Sequence, residues 1–304
     1  MSLGDKSKCR ILFVSDTTAI LHNYRSSLVM KASAFWVVDT RGVFESLSSL
    51  ILLPFGLIRC SIFCSSNLRS NLFCSLFFWK RGVVILNGLG RYERSSFLRF
   101  LLVFLFKISG SNRIVLAQSY RDFRYLRLAR VRVLWVPGSG GSCYQKGESD
   151  EVLVVTRDSK FNCIRDSLAS FYKEFNLPLI VAGCKDAETL SDVGFDCHNI
   201  GFITSKNLLY SNARSFVQPD GYGEGIAHSL VDAICSHYRV FINRKVYLKS
   251  GFYMLFRNEG IAPVRRGDWY EITPEQSRSI SSRVSLKAVD NIYFSALSEM
   301  TKSN

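Results

Sequence analysis

A glycine-rich segment, residues 221–233, carries the side chains best suited to chemistry in this chain. Gly223 and Gly225 flank one carboxylate, Glu224, and a second carboxylate, Asp232, follows eight residues later. An apolar run precedes the segment and a helix-like run follows it. The backbone amides of such a turn and helix start attract anions such as phosphate. The segment therefore predicts an anion site with an acid on either side.

Apolar runs alternate with helix-like runs throughout the chain. This order predicts, in each half, a parallel sheet with helices on both faces. The predicted strands are 10–15, 34–39, 82–86, 113–117 and 131–136 in the first half, and 151–156, 177–182, 198–202, 215–218 and 239–243 in the second.

The length of 304 residues suffices for two α/β domains. The Pro-Gly-Ser-Gly-Gly-Ser run at 137–142 is the clearest linker. We therefore predict a first domain at 1–146 and a second at 147–304, with a C-terminal tail that could pack back on the first.

Charge is divided unequally between the halves. Residues 1–147 hold 21 of the 39 Lys and Arg but 6 of the 25 Asp and Glu, which gives this half a net charge of +15. The rest of the chain has 18 Lys and Arg and 19 Asp and Glu, a net charge of −1, so the whole chain carries +14. The first half also contains the apolar clusters 47–58, 72–79 and 97–108. We favour an anionic membrane surface as its partner over nucleic acid or a merely solvated basic face.

The apolar run at 97–108 has helical spacing, and two interpretations of it stay open. It could be a fully buried helix, or it could bury one face and present another to lipid. The first ten residues are polar and charged, which argues against a signal peptide. Nine cysteines without C-x-x-C pairs favour free thiols in a reducing cytoplasm.

Five short motifs stand in an informative order. They are Asn23-Tyr24-Arg25, Asn87-Gly88-Leu89-Gly90-Arg91-Tyr92, Val136-Pro137-Gly138-Ser139-Gly140, the pair Arg157 and Lys160, and the segment from Glu224 to Asp232. In type and order they resemble motifs of the retaining family-four glycosyltransferases of the GT-B fold, above all the bacterial branch that builds capsule, O-antigen or exopolysaccharide. The resemblance spans about residues 10 to 245. It implies two Rossmann-like, doubly wound α/β domains with an interdomain cleft.

The resemblance also implies roles for the acids and cations. Glu224 would contact donor-sugar hydroxyls or stabilise positive charge at the anomeric carbon; the alternative is a carboxylate that satisfies helix-start amides. Asp232, where the family usually has Glu, would accept hydrogen bonds from ribose hydroxyls, or be an exposed mid-helix acid. Arg157 and Lys160, spaced more closely than in the family, would neutralise the departing diphosphate without a metal; otherwise they are a surface cation pair.

Further residues complete the implied site. His228 is either a phosphate-side contact or a solvent-exposed helix residue. The remaining donor-binding residues are Gly223, Gly225, Ile226, Ala227, Ser229, Leu230 and Phe202. In the first half, the residues of the implied cleft are Thr17, Thr18, Asn87, Gly88, Gly90 and Gln118, although a structural turn around Gln118 is an equal alternative.

Together these features predict a retaining, metal-independent hexosyltransferase. It would move a hexose or N-acetylhexosamine from a nucleotide sugar, UDP-linked by expectation, to a lipid-linked or polysaccharide acceptor, with no cofactor. We expect a cytoplasmic protein on the inner face of the plasma membrane, with no nucleic-acid partner. The alternatives are a nucleotide-sugar epimerase or hydrolase, a basic non-catalytic binding protein, and an inactive transferase.

Overall fold

The computed structural model describes residues 11–16, 26–37, 43–88, 95–185, 193–221 and 226–302. The chain divides into two compact units. The first unit comprises Met1–Val136 and Asp290–Asn304, and the second comprises Pro137–Val289. The boundary drawn from the sequence, after residue 146, lies inside the second unit.

The first unit contains a six-stranded parallel sheet. Its strands are β1 (Ile11–Ser15), β2 (Ala34–Val37), β3 (Ile62–Ser66), β4 (Gly82–Leu86), β5 (Arg113–Ala117) and β6 (Val133–Trp135), in the order β2-β1-β3-β4-β5-β6. Strands β3, β4 and β5 are buried along their whole length. Continuous apolar strands buried on both faces are typical of parallel sheets covered by helices.

The second unit contains a seven-stranded mixed sheet. Its strands are β7 (Val152–Val155), β8 (Leu179–Ala182), β9 (Cys197–Gly201), β10 (Ser215–Gln218), β11 (Arg239–Asn243), β12 (Val264–Arg266) and β13 (Trp269–Ile272), in the order β12-β13-β11-β10-β7-β8-β9. Strands β7 to β11 run parallel, whereas β13 pairs antiparallel with both β11 and β12.

Helices connect the strands. They are α1 (Ser26–Lys31), α2 (Val43–Arg59), α3 (Leu68–Leu76), α4 (Ser96–Ser109), α5 (Tyr120–Leu128), α6 (Asp158–Phe175), α7 (Lys206–Tyr210), α8 (His228–Cys235), α9 (Arg244–Ser250), α10 (Phe252–Asn258), α11 (Pro274–Val284) and α12 (Leu286–Lys302). The predicted class, two Rossmann-like α/β sheets, is confirmed.

Helix α4 decides between the two interpretations of the apolar run at 97–108. Leu102, Leu105 and Phe106 are buried against the sheet, while Phe97 and Phe100 are exposed. The helix therefore buries one apolar face and presents another to its surroundings. Within the described part of the chain, no helix combines the length and the apolar character needed to cross a bilayer.

Candidate functional site

The strand order of the second sheet locates a ligand site. From β7 the chain moves to β8 and β9 on one side, then returns to β10 and β11 on the other. Strands β7 and β10 are hydrogen-bonded neighbours, so the direction of winding reverses between them. Ligands of open α/β sheets bind at such a reversal, beyond the carboxyl ends of the strands. The residues that follow β7 and β10 therefore form the candidate site.

Arg157 and Lys160 follow β7. Arg157 is the N-cap residue of α6, and its carbonyl oxygen accepts hydrogen bonds from the amides of Lys160 (2.8 Å) and Phe161 (3.0 Å). Residues 158–162 therefore form the first turn of a helix. The side chain of Arg157 is exposed and that of Lys160 is half-buried. Both cations stand at the positive end of the α6 dipole, where an anion is favoured.

Gly221 follows β10 and packs directly on α6. It has a φ of +130°, and a Cβ there would overlap the carbonyl oxygen of Cys163. The neighbouring Asp220 amide donates to the hydroxyl of Ser167 at 3.1 Å. These contacts hold the start of the glycine-rich segment against α6, on the helix that bears Lys160. Gly223, Glu224 and Gly225 lie outside the described residues.

Helix α8 begins within the same segment, at His228. Its N-cap residue, Ala227, offers no side chain to the first-turn amides. The Leu230 amide donates to the Ala227 carbonyl at 3.2 Å, so it is already engaged within the helix. Ile226 and Leu230 are buried, whereas Ser229 is half-buried. Of the donor-binding candidates Ser229 and Leu230, only Leu230 has its amide engaged in this way, so the Ser229 amide is the better candidate for an anion.

Asp232 lies one turn into α8 and is fully buried. Its Oδ1 accepts the backbone amide of Ser142 at 2.9 Å, and its Oδ2 lies 2.9 Å from Nζ of Lys206. Nε2 of His228 is 3.4 Å from the same Oδ2 and 2.7 Å from Nζ of Lys206. A lysine ammonium can only donate, so towards Lys206 this nitrogen acts as the acceptor.

Burial raises the pKa of Asp232, and Lys206, the Ser142 amide and Tyr210 oppose that rise. The structure gives both carboxylate oxygens protein partners, so Asp232 is not an exposed mid-helix acid. Because Asp232 is fully buried, a ribose hydroxyl could reach Oδ2 only if a side chain that covers it, such as Lys206, moved aside.

Two aromatic residues pack beside the group formed by Asp232, Lys206 and His228. Tyr144 and Tyr210 stack with centroids 5.0 Å apart, and Nζ of Lys206 lies 5.6 Å from the Tyr144 ring centroid. The Tyr210 hydroxyl donates to the Ser229 carbonyl at 3.1 Å. Burial raises the pKa of Tyr210, and the nearby Asp232 adds to the effect. The hydrogen bond from Tyr210 to the Ser229 carbonyl holds the start of α8.

The remaining donor-site candidate, Phe202, follows β9. It is 62% exposed, and Nζ of Lys185 lies 5.5 Å from its ring centroid. Because β9 is separated from β7 by β8, Phe202 stands two strands away from Arg157 at the same edge of the sheet.

The described candidates of the first unit, Asn87, Gly88 and Gln118, follow the carboxyl ends of its strands. The side-chain amide of Asn87, after β4, donates to Oδ1 of Asn67 at 2.6 Å. Gly88 has a φ of +116°. Gln118, after β5, is buried and its Nε2 donates to the Tyr293 hydroxyl at 3.1 Å. Gln118 is therefore a packing residue rather than an open contact surface. Thr17, Thr18 and Gly90 lie outside the described residues.

Winding in the first sheet reverses between β1 and β3. Asp16, directly after β1, accepts from the amides of Arg69 (3.3 Å) and Ser70 (2.7 Å) at the start of α3. Among the described residues, no group of three or more His, Cys, Asp or Glu side chains is placed to hold a metal ion.

Comparison with solved structures identifies the fold of this chain. No protein-family model matches the sequence, and no curated protein matches it. Among solved structures, HepE from Anabaena in complex with UDP superposes with a TM-score of 0.61 at 12% identity, over 95% of this chain and 100% of that chain. The chain has the GT-B fold.

Two further solved structures support the same fold. HepE in complex with UDP and glucose gives a TM-score of 0.54 at 11% identity, over 94% of this chain and 91% of that chain. A candidate UDP-N-acetylglucosamine 2-epimerase from Listeria monocytogenes gives 0.53 at 10% identity, over 98% of each chain. At such identities the similarity establishes the fold.

Proposed function

We propose that this GT-B chain is a retaining glycosyltransferase of the family-four type. It would transfer a hexose or N-acetylhexosamine from a UDP-sugar to a lipid-linked or polysaccharide acceptor. The observation that carries the proposal is the position of Arg157 and Lys160, after β7, and of Gly221, after β10, at the winding reversal between these two strands. The UDP held by HepE on the same fold supports the choice of nucleotide.

The diphosphate would bind where α6 and α8 begin. Transfer breaks the bond between the anomeric carbon and the diphosphate oxygen, and the electron pair leaves with UDP. Arg157, Lys160 and the Ser229 amide would stabilise that growing negative charge. Lys206 lies 2.7 Å from His228 at the start of α8. It would supply a third cation if a ribose hydroxyl took its place on Asp232.

Glu224 would act at the other end of the bond. Positive charge develops at the anomeric carbon as the leaving group departs, and a carboxylate nearby lowers the energy of that state. The acceptor hydroxyl would give its proton to the departing diphosphate oxygen as its own oxygen bonds to the sugar. Most of the rate would come from positioning and charge compensation.

The transfer assay tests this directly. We expect labelled sugar to pass from a UDP-sugar to membrane-derived acceptor lipid, and Glu224→Ala to lower the rate at least about a hundredfold. Glu174→Ala, an exposed acid on α6, is the matched control and should leave the rate unchanged. Equal rates in all three proteins, or sugar release and epimerisation without acceptor, would contradict the transferase proposal.

We further propose that the first unit binds an anionic membrane. Exposed apolar side chains cluster where several connections meet at the amino end of the sheet. Nζ of Lys80 donates to the Ile58 carbonyl at 3.5 Å, and the side-chain amide of Asn112 donates to the Phe78 carbonyl at 3.5 Å. These bonds join the ends of α2, α3 and α4 into one surface. Its exposed apolar residues are Ile58, Leu76, Phe78, Trp79 and Ile108.

Cations surround that surface. Arg59 and Lys107 are exposed beside it, and Lys80 and Arg81 are half-buried within it. Apolar side chains that enter the headgroup region, with cations against anionic lipid, are the two elements of peripheral membrane binding.

Substitution at this surface should release the protein from membranes. We expect Trp79→Ser combined with Phe78→Ser to weaken binding to vesicles containing phosphatidylserine at least about tenfold, because each buried aromatic side chain contributes about 2 kcal/mol. Leu208→Ser, at a residue of the second unit that is 63% exposed, is the control. Cosedimentation unchanged in the double variant would contradict this surface.

A further inference from the structure

A groove of about 830 Å³ runs beside β6, at the edge of the first sheet. Its walls are β6 with the residues that lead into it, one face of α5, and the face of α12 that carries Asn291 and Ser295. All of these residues belong to the first unit. The volume lies in the range of ordinary small-ligand sites. The groove is lined chiefly by apolar side chains: Phe123, Val131, Val133, Leu134, Trp135 and Ile292.

Aromatic packing shapes the groove floor. Tyr120 meets Trp135 edge-on at 5.9 Å and Phe123 at 5.5 Å. Leu134 remains 45% exposed although it lines the groove. Apolar surface that stays open in this way favours a hydrocarbon occupant.

Arginines lie along the rim. Between 121 and 132 there are five arginines and a single acid, Asp122. Arg121 lies 3.9 Å from Asp122, and Arg132 pairs with Glu299. Within the described part of the chain, the three others, Arg124, Arg127 and Arg130, are exposed and have no carboxylate partner. Arg127 lines the groove and stands over the ring of Phe123 at 5.8 Å.

We propose that this groove holds the hydrocarbon chain of a phosphate-bearing membrane lipid, with the phosphate paired to Arg127. The apolar lining selects the chain, and the unpaired guanidinium selects an anionic head. An extended peptide fits less well, because β6 offers only three residues of free strand edge. The inference does not depend on the transfer reaction, since it requires only a phosphorylated alkyl chain.

Calorimetry with dodecyl phosphate, below its micelle concentration, tests the site in the full chain. Dodecyl maltoside supplies the same chain with a neutral head, and inorganic phosphate supplies the head alone. We expect dodecyl phosphate to bind about tenfold more tightly than the maltoside, and inorganic phosphate to show no measurable binding.

Four variants separate the contributions. Ser295→Trp places an indole in the groove from an exposed position of α12 and should weaken binding at least about tenfold. Arg127→Gln should remove the preference for phosphate, a loss of about tenfold. Arg124→Gln, on the same helix but outside the groove, should bind as the wild type does. Brominated dodecyl phosphate should quench fluorescence of the wild type but much less that of Trp135→Phe, which gives a readout independent of Ser295→Trp.

Several results would overturn the proposal. Equal affinity for the phosphate and the maltoside would remove the role of Arg127. Unchanged affinity in Ser295→Trp, with unchanged quenching in Trp135→Phe, would place the chain elsewhere. A dimer in light scattering that Ser295→Trp converts to monomer would show that a second copy covers the groove. Capture of an acidic peptide in preference to dodecyl phosphate would point to a protein partner.

Discussion

Replacing Lys206 with methionine should destabilise the protein by about 3 kcal/mol. Asp232 is fully buried, and Lys206 supplies the cation on its Oδ2. Removing one member of a buried ion pair leaves an uncompensated charge, which typically costs about 3–5 kcal/mol. We place the value at the lower end because the Lys206 side chain is 37% exposed. Urea unfolding of the two proteins measures the difference.

Asp232→Asn provides the test of cause. Asparagine keeps an acceptor for the Ser142 amide while it removes the charge, so the double variant with Lys206→Met should be more stable than the sum of the single effects by about 2 kcal/mol. Lys173→Met, at an exposed position of α6, should stay within about 0.5 kcal/mol of wild type. Additive effects of Lys206→Met and Asp232→Asn would show that the two side chains do not interact.

The same pair predicts a pH dependence. The pKa of Asp232 is raised in the folded state by burial, and loss of Lys206 removes an opposing influence. When the pKa of an acid is higher in the folded state than in the unfolded state (about 3.9), the protein loses stability as the pH rises from the unfolded to the folded pKa. The deficit of Lys206→Met should therefore be larger at pH 7 than at pH 4. A deficit independent of pH would indicate lost packing instead of an unpaired carboxylate.

Gly221→Ala should destabilise the protein more than alanine at Gly141 or at Gly194. Gly221 has a φ of +130°, which disfavours any residue with a Cβ. A Cβ there would also overlap the backbone carbonyl of Cys163 in α6, and a backbone group cannot move aside as a side chain can. We expect a loss of at least about 3 kcal/mol, with weaker nucleotide binding in any folded fraction, since the glycine-rich segment starts there.

Two other glycines separate the two causes. A Cβ on Gly141 would overlap the carbonyl of Val231 without requiring positive φ, so Gly141→Ala should cost about 2–3 kcal/mol. Gly194 has a φ of +72° and open space around it, so Gly194→Ala should cost about 1 kcal/mol. Thermal or urea unfolding gives the ranking. Equal losses at all three positions would mean that close approach to α6 is not the constraint.

Local patterns predicted most of the sheet but not all of it. The apolar runs at 82–86 and 113–117 are strands as expected, because parallel strands buried on both faces are continuous and apolar. Strand β3 was missed, since its Ile62–Ser66 sequence lies between helices of similar apolar content. The β12–β13 pair was also missed, although Gly267-Asp268 between two short runs is a recognisable hairpin signal.

The site was only partly predictable for a different reason. Arg157 and Lys160 were singled out through the family resemblance, and the structure shows them at the start of the helix that follows β7. Lys206 and Ser142 could not be predicted, because they reach Asp232 from 26 and 90 positions away in the sequence. A local pattern carries no information about such contacts. A lysine at the first position of a short helix was the only available signal for Lys206.

Calorimetric titration with UDP tests the central claim, that the reversal between β7 and β10 binds a nucleoside diphosphate. We predict saturable binding by the wild type, and a loss of at least about tenfold in Arg157→Gln combined with Lys160→Gln, because each cation forms charge-assisted hydrogen bonds with phosphate. Lys173→Gln, farther along α6, should bind as the wild type does. No binding of UDP, or equal binding by all three proteins, would contradict the account.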